Sequence, residues 1–376
     1  MKVLHYTKYY PPYFGGIEKV TFDMVEGRGD DIEVEVLCFK KNKKESNLDC
    51  NKKYKIRRNK AILTLFKMPI SLTNFFSLIK RMNRNDIVHV HLPNPMAMLF
   101  VIFANVFCGK KIVAHWHSDI VNQKKLGFLI RPLEVIFLKK SDMIIVTTDA
   151  YAASSKSLIN FKHKIRVVPI GIESSDLEVD YKFLSDLRKR YNGYKVIFSL
   201  GRLTYYKGFE YLVEAANELP DNYKVIIGGT GEEQTKLERI IRDNALEDKV
   251  ILLGRIPQCQ MGSYYKICDV FCLPSIERSE AFGVVQIEAM SFSKPVISTN
   301  ILGSGVSWVN KHETSGLIVE PRSSKELAQA IDSVCKSNKL AGQLGLGARK
   351  RFDSCFTRSE MNKKVFDIYK EITCDN

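Results

Sequence analysis

The chain has 376 residues, of which 45% are hydrophobic and 26% charged, a composition that excludes a disordered or fibrous protein. Its length allows two domains, each with its own core. Nine scattered cysteines without a Cys-x-x-Cys pair argue against a zinc site and suit reduced thiols in the cytoplasm. No apolar signal-peptide segment precedes the first strand-like run, which again favours a cytoplasmic protein.

Strand-like and helix-like segments alternate along the chain. The predicted strands of the first half are Lys2–Tyr6, Glu33–Phe39, Asp86–His91, Lys111–His115, Asp142–Thr147 and Lys164–Pro169. Those of the second half are Lys195–Leu200, Tyr223–Gly228, Lys249–Leu253, Asp269–Leu273 and Pro295–Ser298. Helices between most of them predict α/β domains with parallel sheets covered on both faces. The polar stretch Glu173–Tyr181 separates a domain 1–172 from a domain 173–357, and a last helix lies in 358–376.

The loops that follow strands carry the candidate chemistry, because parallel sheets bind ligands at the carboxyl ends of their strands. Gly15 and Gly16 come just before a helix, where glycines allow close backbone approach to a phosphate or sugar. In the loop 201–208, Arg202 offers a planar fork and Lys207 a point charge, a combination that suits a diphosphate. A glycine turn at 228–233 follows the next strand.

The segment 279–288 is the most informative part of the sequence. It places Glu280 just before a predicted helix, Val284–Ser291, and Glu288 more than one turn inside that helix. Free backbone N–H groups at such a helix start favour a bound phosphate. A carboxylate beside them could meet the polyhydroxylated part of a substrate on which positive charge develops. A capping Glu followed by a surface Glu is the alternative.

These motifs, with Val168–Ile172 at the domain junction, resemble the retaining glycosyltransferases of family 4 over essentially the whole chain. The resemblance implies the GT-B fold, in which two Rossmann-like domains face each other across a cleft and the C-terminal helix packs back on the first. It also implies a set of donor-binding residues, namely Gly15, Gly16, Arg202, Lys207, Phe282, Gly283, Val284 and Glu288.

The resemblance assigns more specific roles within that set. Arg202 and Lys207 would hold the donor diphosphate, Glu280 would face the donor sugar, and Glu288 would accept hydrogen bonds from the ribose. His117 ends a predicted strand and would lie near the sugar C6 hydroxyl. We therefore expect Glu280, His117, Arg202 and Lys207 to be the catalytic residues. His89, His91 and His115 are expected to be structural.

A metal ion and a cofactor are not expected. Many metal-dependent glycosyltransferases hold a divalent cation with Asp-x-Asp, and this chain contains no Asp-x-Asp. A metal-independent enzyme that uses Arg202 and Lys207 instead is the expectation. The segment 303–309 departs from the family pattern Gly-Gly-x-Pro-Glu and resembles versions found in O-antigen mannosyltransferases, which favours GDP-mannose. A UDP-linked donor remains open, and a nucleotide-sugar epimerase of related architecture is a further alternative.

All of the net charge of +15 lies in the first half of the chain. Residues 1–170 hold 29 Lys and Arg against 14 Asp and Glu, whereas residues 171–376 hold 28 of each. Such a field predicts an anionic partner, although a well solvated surface would also explain it. The basic half has no nucleic-acid motif, so nucleic acid is not expected.

Two segments, 61–84 and 120–140, interleave aromatic and aliphatic residues with Lys and Arg, as amphipathic segments at anionic lipid do. Core helices with a solvated basic face are the alternative. The longest apolar run, Met96–Ala104, is too short to span a bilayer. We predict a cytoplasmic protein held peripherally at the anionic inner leaflet. Its acceptor would be a saccharide on a polyprenyl diphosphate in bacterial surface polysaccharide synthesis.

Overall fold

The computed structural model describes residues 1–13, 15–42, 45–49, 54–65, 68–119 and 124–374, without the side chains of residues 65, 68 and 124–129. The chain divides into a first unit, Met1–Gly171 with Arg358–Asn376, and a second unit, Ile172–Thr357. Ile172 belongs to the second unit, where its N–H donates to the carbonyl of Phe356 at 2.9 Å. The boundary between the two units therefore lies after residue 171, one residue earlier than the predicted boundary after residue 172.

In the part of the first unit that the structure describes there are ten strands and the first five α-helices. The strands are β1 (Lys2–Tyr6), β2 (Glu33–Phe39), β3 (Leu48–Asp49), β4 (Lys55–Asn59), β5 (Leu63–Leu65), β6 (Met68–Ile70), β7 (Ile87–Leu92), β8 (Lys111–Trp116), β9 (Met143–Val146) and β10 (Ile165–Val167). The helices are α1 (Gly16–Glu26), α2 (Leu72–Met82), α3 (Pro95–Cys108), α4 (Lys124–Lys140) and α5 (Asp149–Ser154).

The second unit contains six strands and eight α-helices among its described residues. The strands are β11 (Lys195–Leu200), β12 (Tyr223–Gly228), β13 (Val250–Gly254), β14 (Val270–Leu273), β15 (Val296–Thr299) and β16 (Gly316–Val319). The helices are α6 (Tyr181–Arg190), α7 (Phe209–Ala215), α8 (Gln234–Asp243), α9 (Gln258–Ile267), α10 (Val284–Ser291), α11 (Val306–Val309), α12 (Ser324–Lys336) and α13 (Asn338–Cys355). The last helix of the chain, α14 (Arg358–Cys374), belongs to the first unit.

Each unit is built on one largely parallel sheet. The order of the described strands in the first is β10-β9-β8-β7-β1-β2-β4-β3, in which β3 is antiparallel to its neighbour and the others are parallel, and β5 pairs antiparallel with β6 in a separate two-stranded sheet. The order in the second is β13-β12-β11-β14-β15-β16, all parallel. Central strands such as β7 and β14 are buried on both faces, as in a sheet covered by helices on both sides. These two Rossmann-like units confirm the predicted α/β architecture.

The last helix packs on the first unit, as predicted. The guanidinium of Arg358 donates to Oδ1 of Asp23 on α1 at 2.7 and 3.1 Å, and the amide of Asn362 donates to the Asp23 carbonyl at 3.2 Å. Asp23 is fully buried, so this charged pair ties α14 to α1. Among the described residues, no helix is both long enough and apolar enough to cross a bilayer.

Candidate active site

Lys207 and Glu280 form a buried ion pair in the second unit. Lys207 ends a short 3-10 turn, Tyr205–Lys207, after β11, and Glu280 lies on the loop after β14. The sheet places β11 beside β14, so the two loops leave the same edge as neighbours. The Lys207 amine lies 2.5 Å from Oε2 of Glu280, and both residues are 8% exposed. The structure thus brings together two residues that the sequence separates by more than seventy positions.

Backbone contacts fix the two loops against each other. Gly208 has φ +63°, and a Cβ there would lie 2.3 Å from the carbonyl oxygen of Pro274, so only glycine fits. The N–H of Ile276 donates to the carbonyl of Tyr206 at 2.8 Å. The hydroxyl of Ser275 donates to Oε2 of Glu280 at 3.0 Å. The carboxylate therefore has two partners and a defined position.

The electrostatics keep Lys207 protonated. Burial by itself would lower the pKa of Lys207, but the charge and hydrogen bond of Glu280, together with the charges of Tyr206 and Glu288, raise that pKa above its usual value. An ammonium group has three donors, and one of them points to Glu280. The site thus holds a fixed cation with donors to spare, as an anionic ligand requires.

The start of α10 lies next to this pair. Gly283 immediately precedes the helix and has φ +75°, and a Cβ there would lie 2.7 Å from both Leu273 and Gln286. Phe282 is 3% exposed, and its carbonyl accepts from the Gln286 amide at 3.0 Å. Val284 is the first helical residue. The turn therefore aims the free N–H groups of the first helical turn at the carboxyl edge of the sheet.

Glu288 lies more than one turn into α10, as predicted, and it has a partner that the sequence did not indicate. The Tyr265 hydroxyl donates to Oε2 of Glu288 at 2.6 Å. Burial, followed by the charge of Glu288, raises the pKa of Tyr265 well above its usual value, so the hydroxyl remains a donor. The hydrogen bond orients one carboxylate oxygen of Glu288. The negative charge of Glu288 also contributes to the raised pKa of Lys207.

Arg202 is exposed on the same loop as Lys207, and the glycine turn after β12 supports its backbone. A Cβ on Gly229 would lie 1.8 Å from the carbonyl oxygen of Gly201, and one on Gly231 would lie 2.1 Å from that of Leu203. The backbone of the 228–231 turn thus packs directly against the backbone of the loop that carries Arg202. Glu233 directly precedes α8 and pairs with Lys236 at 3.4 Å, in accord with a role at the helix start.

The segment 303–309, which departs from the family pattern, holds the Glu280 loop. The hydroxyl of Ser304 donates to the carbonyl of Glu280, and the N–H of Gly305 donates to the carbonyl of Ala281 at 2.9 Å. Ser304 is 1% exposed. Residues of this segment therefore hold the backbone at Glu280 and Ala281 in place through hydrogen bonds.

The two glycines of the first unit begin α1, as expected of a phosphate-type loop. Gly15 immediately precedes the helix and Gly16 is its first residue. The space in front of this helix start holds the carboxylate of Glu18, because a Cβ on Gly15 would lie 2.4 Å from its Oε2. Burial raises the pKa of Glu18, while the N–H groups of Glu18 and Gly15 act to lower it. The carboxyl group of Glu18 thus already lies at this helix start.

His117 directly follows β8, on the same sheet edge as Gly15 and Gly16. Its N–H donates to the carbonyl of Leu92, and its ring Nε2 lies 3.1 Å from Nδ1 of His91. Its side chain is 7% exposed, and burial lowers its pKa to about 3, so the ring is neutral at neutral pH. His89, His91 and His115 are buried behind it.

Sequence reasoning missed the side chains that hold the candidate residues in place. Ser275 and Tyr265 are the hydrogen-bond donors to the two carboxylates, and Ser304 fixes the loop between them. Ser275 is the second residue after β14. A hydroxyl so close to the end of a strand was a signal from which the sequence could have indicated a site residue. Tyr265 lies on α9, and nothing in its sequence surroundings connects it to α10.

Comparison with known proteins identifies the class of protein. The family described as Glycosyltransferase Family 4 matches residues 14–176, and that described as Glycosyl transferases group 1 matches residues 183–351. The chain is 30% identical over 373 residues to the O-antigen chain mannosyltransferase C of Escherichia coli, covering 98% of each. It is 29% identical over 359 residues to the D-rhamnosyltransferase WbpZ of Pseudomonas aeruginosa, covering 95% of this chain and 92% of WbpZ.

Solved structures show the fold. Anabaena Alr3699/HepE in complex with UDP superposes with a TM-score of 0.83 at 20% identity, covering 99% of this chain and all of that one. The sucrose-phosphate synthase of Thermosynechococcus elongatus gives 0.80 at 17% identity over the full length of both. The fold is therefore that of the GT-B glycosyltransferases. The chain belongs to the family 4 glycosyltransferases, which confirms the resemblance seen in its sequence.

Proposed function

We propose that this glycosyltransferase moves a hexose from a nucleotide sugar to a saccharide carried on a polyprenyl diphosphate, with retention of configuration and without a metal ion. The buried pair of Lys207 and Glu280, next to the start of α10, is the observation that carries the proposal. The similarity to the O-antigen chain mannosyltransferase supports O-antigen synthesis and a mannose donor, with GDP-mannose favoured.

The donor diphosphate would lie between Lys207, Arg202 and the first N–H groups of α10. Charge develops on the departing diphosphate in the transition state, and groups that are already fixed there stabilise it most. Lys207 is such a group, since its pKa is raised and its position is set by Glu280. Arg202, which is exposed, would close on the phosphates when the donor binds.

The donor sugar would face Glu280 and His117, and the ribose would face Glu288. Glu280 offers a carboxylate to sugar hydroxyls, and its negative charge favours the positive character that grows on the anomeric carbon. The Tyr265 hydroxyl orients the Glu288 carboxylate, and a carboxylate is the acceptor that ribose hydroxyls require. The acceptor hydroxyl then attacks the anomeric carbon as its bond to the diphosphate breaks, and the hydroxyl proton leaves with the phosphate oxygen.

A basic cavity of about 460 Å³ in the first unit supports an acceptor that carries phosphate. Lys40, Lys41 and Lys60 line it, together with Tyr9. These lysines follow β2 and β4, at the same edge of the sheet as Gly15. Lysines on flexible stems bind phosphate as point charges, which suits the diphosphate of a polyprenyl carrier.

The face of α2 and α3 supports peripheral binding at an anionic inner leaflet, and with it a cytoplasmic location. On α3, Phe103 lies one turn before Val106 and Phe107, and the three are 55%, 68% and 77% exposed. On α2, which packs against α3, Leu72 and Phe76 are each 66% exposed. Apolar side chains of this size on a unit with a large excess of Lys and Arg suit the headgroup region.

The donor is tested with radiolabelled GDP-mannose, UDP-glucose and UDP-galactose on membranes that contain endogenous lipid-linked acceptors. We expect transfer into lipid from GDP-mannose, and equal rates with and without EDTA. Transfer from a UDP-sugar alone would replace the donor assignment, and loss of activity in EDTA would contradict metal independence. Release of an epimerised free sugar nucleotide without acceptor would instead establish the epimerase alternative.

Membrane binding is tested by sedimentation with vesicles at low salt. We expect binding to vesicles that contain anionic phosphatidylglycerol and little binding to neutral phosphatidylcholine. The double variant Phe103→Ser/Phe107→Ser should lose most of this binding. Leu346→Ser, which replaces an equally exposed apolar residue of α13 in the second unit, is the matched control. Equal binding to the two kinds of vesicle would contradict the membrane proposal.

A further inference from the structure

Five of the seven histidines form a row on one face of the first unit's sheet. His5 lies on β1, His89 and His91 on β7, and His115 and His117 on and just after β8. The strand β7 lies between the other two and pairs His5 with His89 and His91 with His115. Because alternate residues of a strand share a face, all five rings lie on the same side.

Short contacts run from ring to ring without a break, and Tyr369 of α14 joins them in the middle. The links, in order, are His117 Nε2 to His91 Nδ1 (3.1 Å), His91 Nε2 to His5 Nδ1 (3.1 Å), His5 Nε2 to Tyr369 Oη (3.4 Å), Tyr369 Oη to His89 Nδ1 (2.6 Å) and His89 Nε2 to His115 Nδ1 (3.1 Å). We call this set of six side chains the histidine row.

The two ends of the histidine row differ. At the inner end, Nε2 of His115 is buried and has no hydrogen-bond partner among the described residues. At the outer end, His117 is 7% exposed, whereas the other four histidines are at most 2% exposed. Only the outer end therefore reaches the surface at which a substrate can bind.

The histidines of the row are neutral at physiological pH. Burial lowers the pKa of His5 and His117 to about 3 and that of the three other rings well below the usual value. A neutral imidazole has one donor nitrogen and one acceptor nitrogen, and a tyrosine hydroxyl has one proton to donate. All links must therefore point the same way. Either every ring carries its proton on Nε2, or every ring carries it on Nδ1.

The unpaired nitrogen of His115 selects between these two arrangements. With protons on Nε2, the row would end in a buried N–H without an acceptor. With protons on Nδ1, it ends in a buried acceptor without a donor. Unpaired N–H groups are the rarer of the two in folded proteins. The second arrangement is favoured, and it leaves the Nδ1–H of His117 directed away from the row.

We propose that the histidine row fixes His117 in the Nδ1–H form, so that it presents a neutral hydrogen-bond donor to the substrate. His91, His5, Tyr369, His89 and His115 are then positioning residues that act through His117. The link to catalysis rests on the proposed function, in which His117 faces the donor sugar. There it donates to a sugar oxygen and does not act as a base. The tautomer itself depends only on the geometry of the first unit.

A transition metal is the competing use of the same nitrogens. Those of His5, His89 and His91, and those of His91, His115 and His117, lie within 4.8 Å of one another. A metal ion would need lone pairs that the row uses for hydrogen bonds, and the 3.1 Å contacts between rings suit N–H···N bonds.

The proposal is tested by nitrogen NMR of the full chain with ¹⁵N-labelled histidine at pH 7.5 in EDTA. We expect all five buried rings to be neutral and protonated on Nδ1. His312 is an internal reference of the other form, because its Nδ1 accepts from the N–H of Ile318 at 2.9 Å. Mixed tautomers in the row, protons on Nε2 throughout, or a charged ring would overturn the proposal. So would a stoichiometric metal ion in the protein as purified.

A variant separates this role from a structural one. Tyr369→Phe removes the hydroxyl that joins the two halves of the row. We expect the ¹⁵N signals of His117 to shift and kcat to fall about tenfold, with KM for the donor unchanged. Tyr223→Phe, which removes another buried hydroxyl in the second unit, should change neither. If Tyr369→Phe behaves like this control, the proposal fails. If the protein lacks transferase activity, the tautomers still test the row, and only the proposed function fails.

Discussion

The two units bury their polar candidate residues in opposite ways. The second unit buries a cation and an anion, Lys207 and Glu280, in direct contact. The first unit buries five neutral rings that, with the Tyr369 hydroxyl, form one run of hydrogen bonds. A buried charge needs an opposite charge, whereas a neutral polar group needs only a hydrogen bond. The second unit should therefore be sensitive to loss of a single side chain, and the first unit to acid.

The largest effect is expected when the ion pair is broken. Lys207→Ala or Glu280→Ala leaves an uncompensated buried charge, which should lower the free energy of unfolding by about 3–5 kcal/mol. Transfer should fall at least about 10³-fold, because Lys207 stabilises the leaving diphosphate and Glu280 faces the sugar. Urea unfolding and initial rates measure the two effects, and we expect the fold to survive.

The control for this pair is a lysine of the same unit that also contacts two glutamates. Lys236 pairs with Glu210 and Glu233, but its side chain is 37% exposed. Lys236→Ala should cost at most about 1 kcal/mol and leave transfer unchanged. A Lys207→Ala protein as stable and as active as this control would contradict the role of the ion pair.

Acid should act mainly on the first unit. The pKa of His5 and of His117 is lowered to about 3, and the three other rings of the row are lowered well below the usual 6.5. Between these values the unfolded chain binds more protons than the folded chain, so stability is lost as the pH falls below 6.5. Each ring contributes up to about 1.4 kcal/mol per pH unit.

Urea unfolding of the protein at pH 7.5, 6.5 and 5.5 measures this loss. Glu18, Asp23 and Glu134, whose pKa values burial raises, act in the opposite direction, because each of them binds its proton more tightly in the folded chain. His5→Gln should make the slope shallower, since it removes one titrating ring. An unfolding free energy that is constant between pH 7.5 and 5.5 would show that the row is not buried as a neutral set.

A smaller effect is expected at Arg202, which is exposed and whose substitution should not disturb the core. Arg202→Ala should raise KM for the donor about tenfold through loss of a forked phosphate contact, with unchanged stability. Steady-state kinetics with varied donor concentration measure it. Arg239→Ala, an exposed arginine of α8, serves as the control. Equal KM values in both variants would place the diphosphate elsewhere.

The smallest effect is expected from removal of the Tyr265 hydroxyl, which orients Glu288. Tyr265→Phe should lower the free energy of unfolding by about 1 kcal/mol and raise KM for the donor about twofold. Tyr223→Phe also removes a buried hydroxyl that donates to a carboxylate, that of Asp332 at 3.0 Å. It should show the loss of stability without the change in KM. If KM for the donor is unchanged in both variants, the result would contradict the role of Glu288 in nucleotide binding.

The sequence predicted strands well where their residues are mainly apolar and β-branched. Runs of β-branched residues such as Lys195–Leu200 and Tyr223–Gly228 are strands with the expected bounds. The strand Lys55–Asn59 was missed, because its Lys-Ile-Arg-Arg-Asn sequence has the charge of a loop. Arg58 is nevertheless buried there, and its guanidinium donates to the Pro11 carbonyl.

The sequence could name candidate site residues but could not show which of them meet. Lys207 and Glu280 meet because β11 lies beside β14, two strands that are not consecutive in the chain. His5 meets His89 for the same reason, since β1 lies beside β7. Strand order in a sheet depends on how the helical crossovers pack, which local spacing does not encode. The roles of the site residues toward substrate stay predictions.

The close approach of Gly229 to Gly201 has a consequence for engineering. A Cβ at position 229 would lie 1.8 Å from the Gly201 carbonyl oxygen. The loops after β11 and β12 are therefore packed so closely that neither can change its backbone without the other. A donor loop transplanted from another transferase would have to bring its companion turn with it. Chimeras that exchange 201–208 alone should misplace the arginine, whereas chimeras that exchange 201–231 as a block should keep the geometry of the loop.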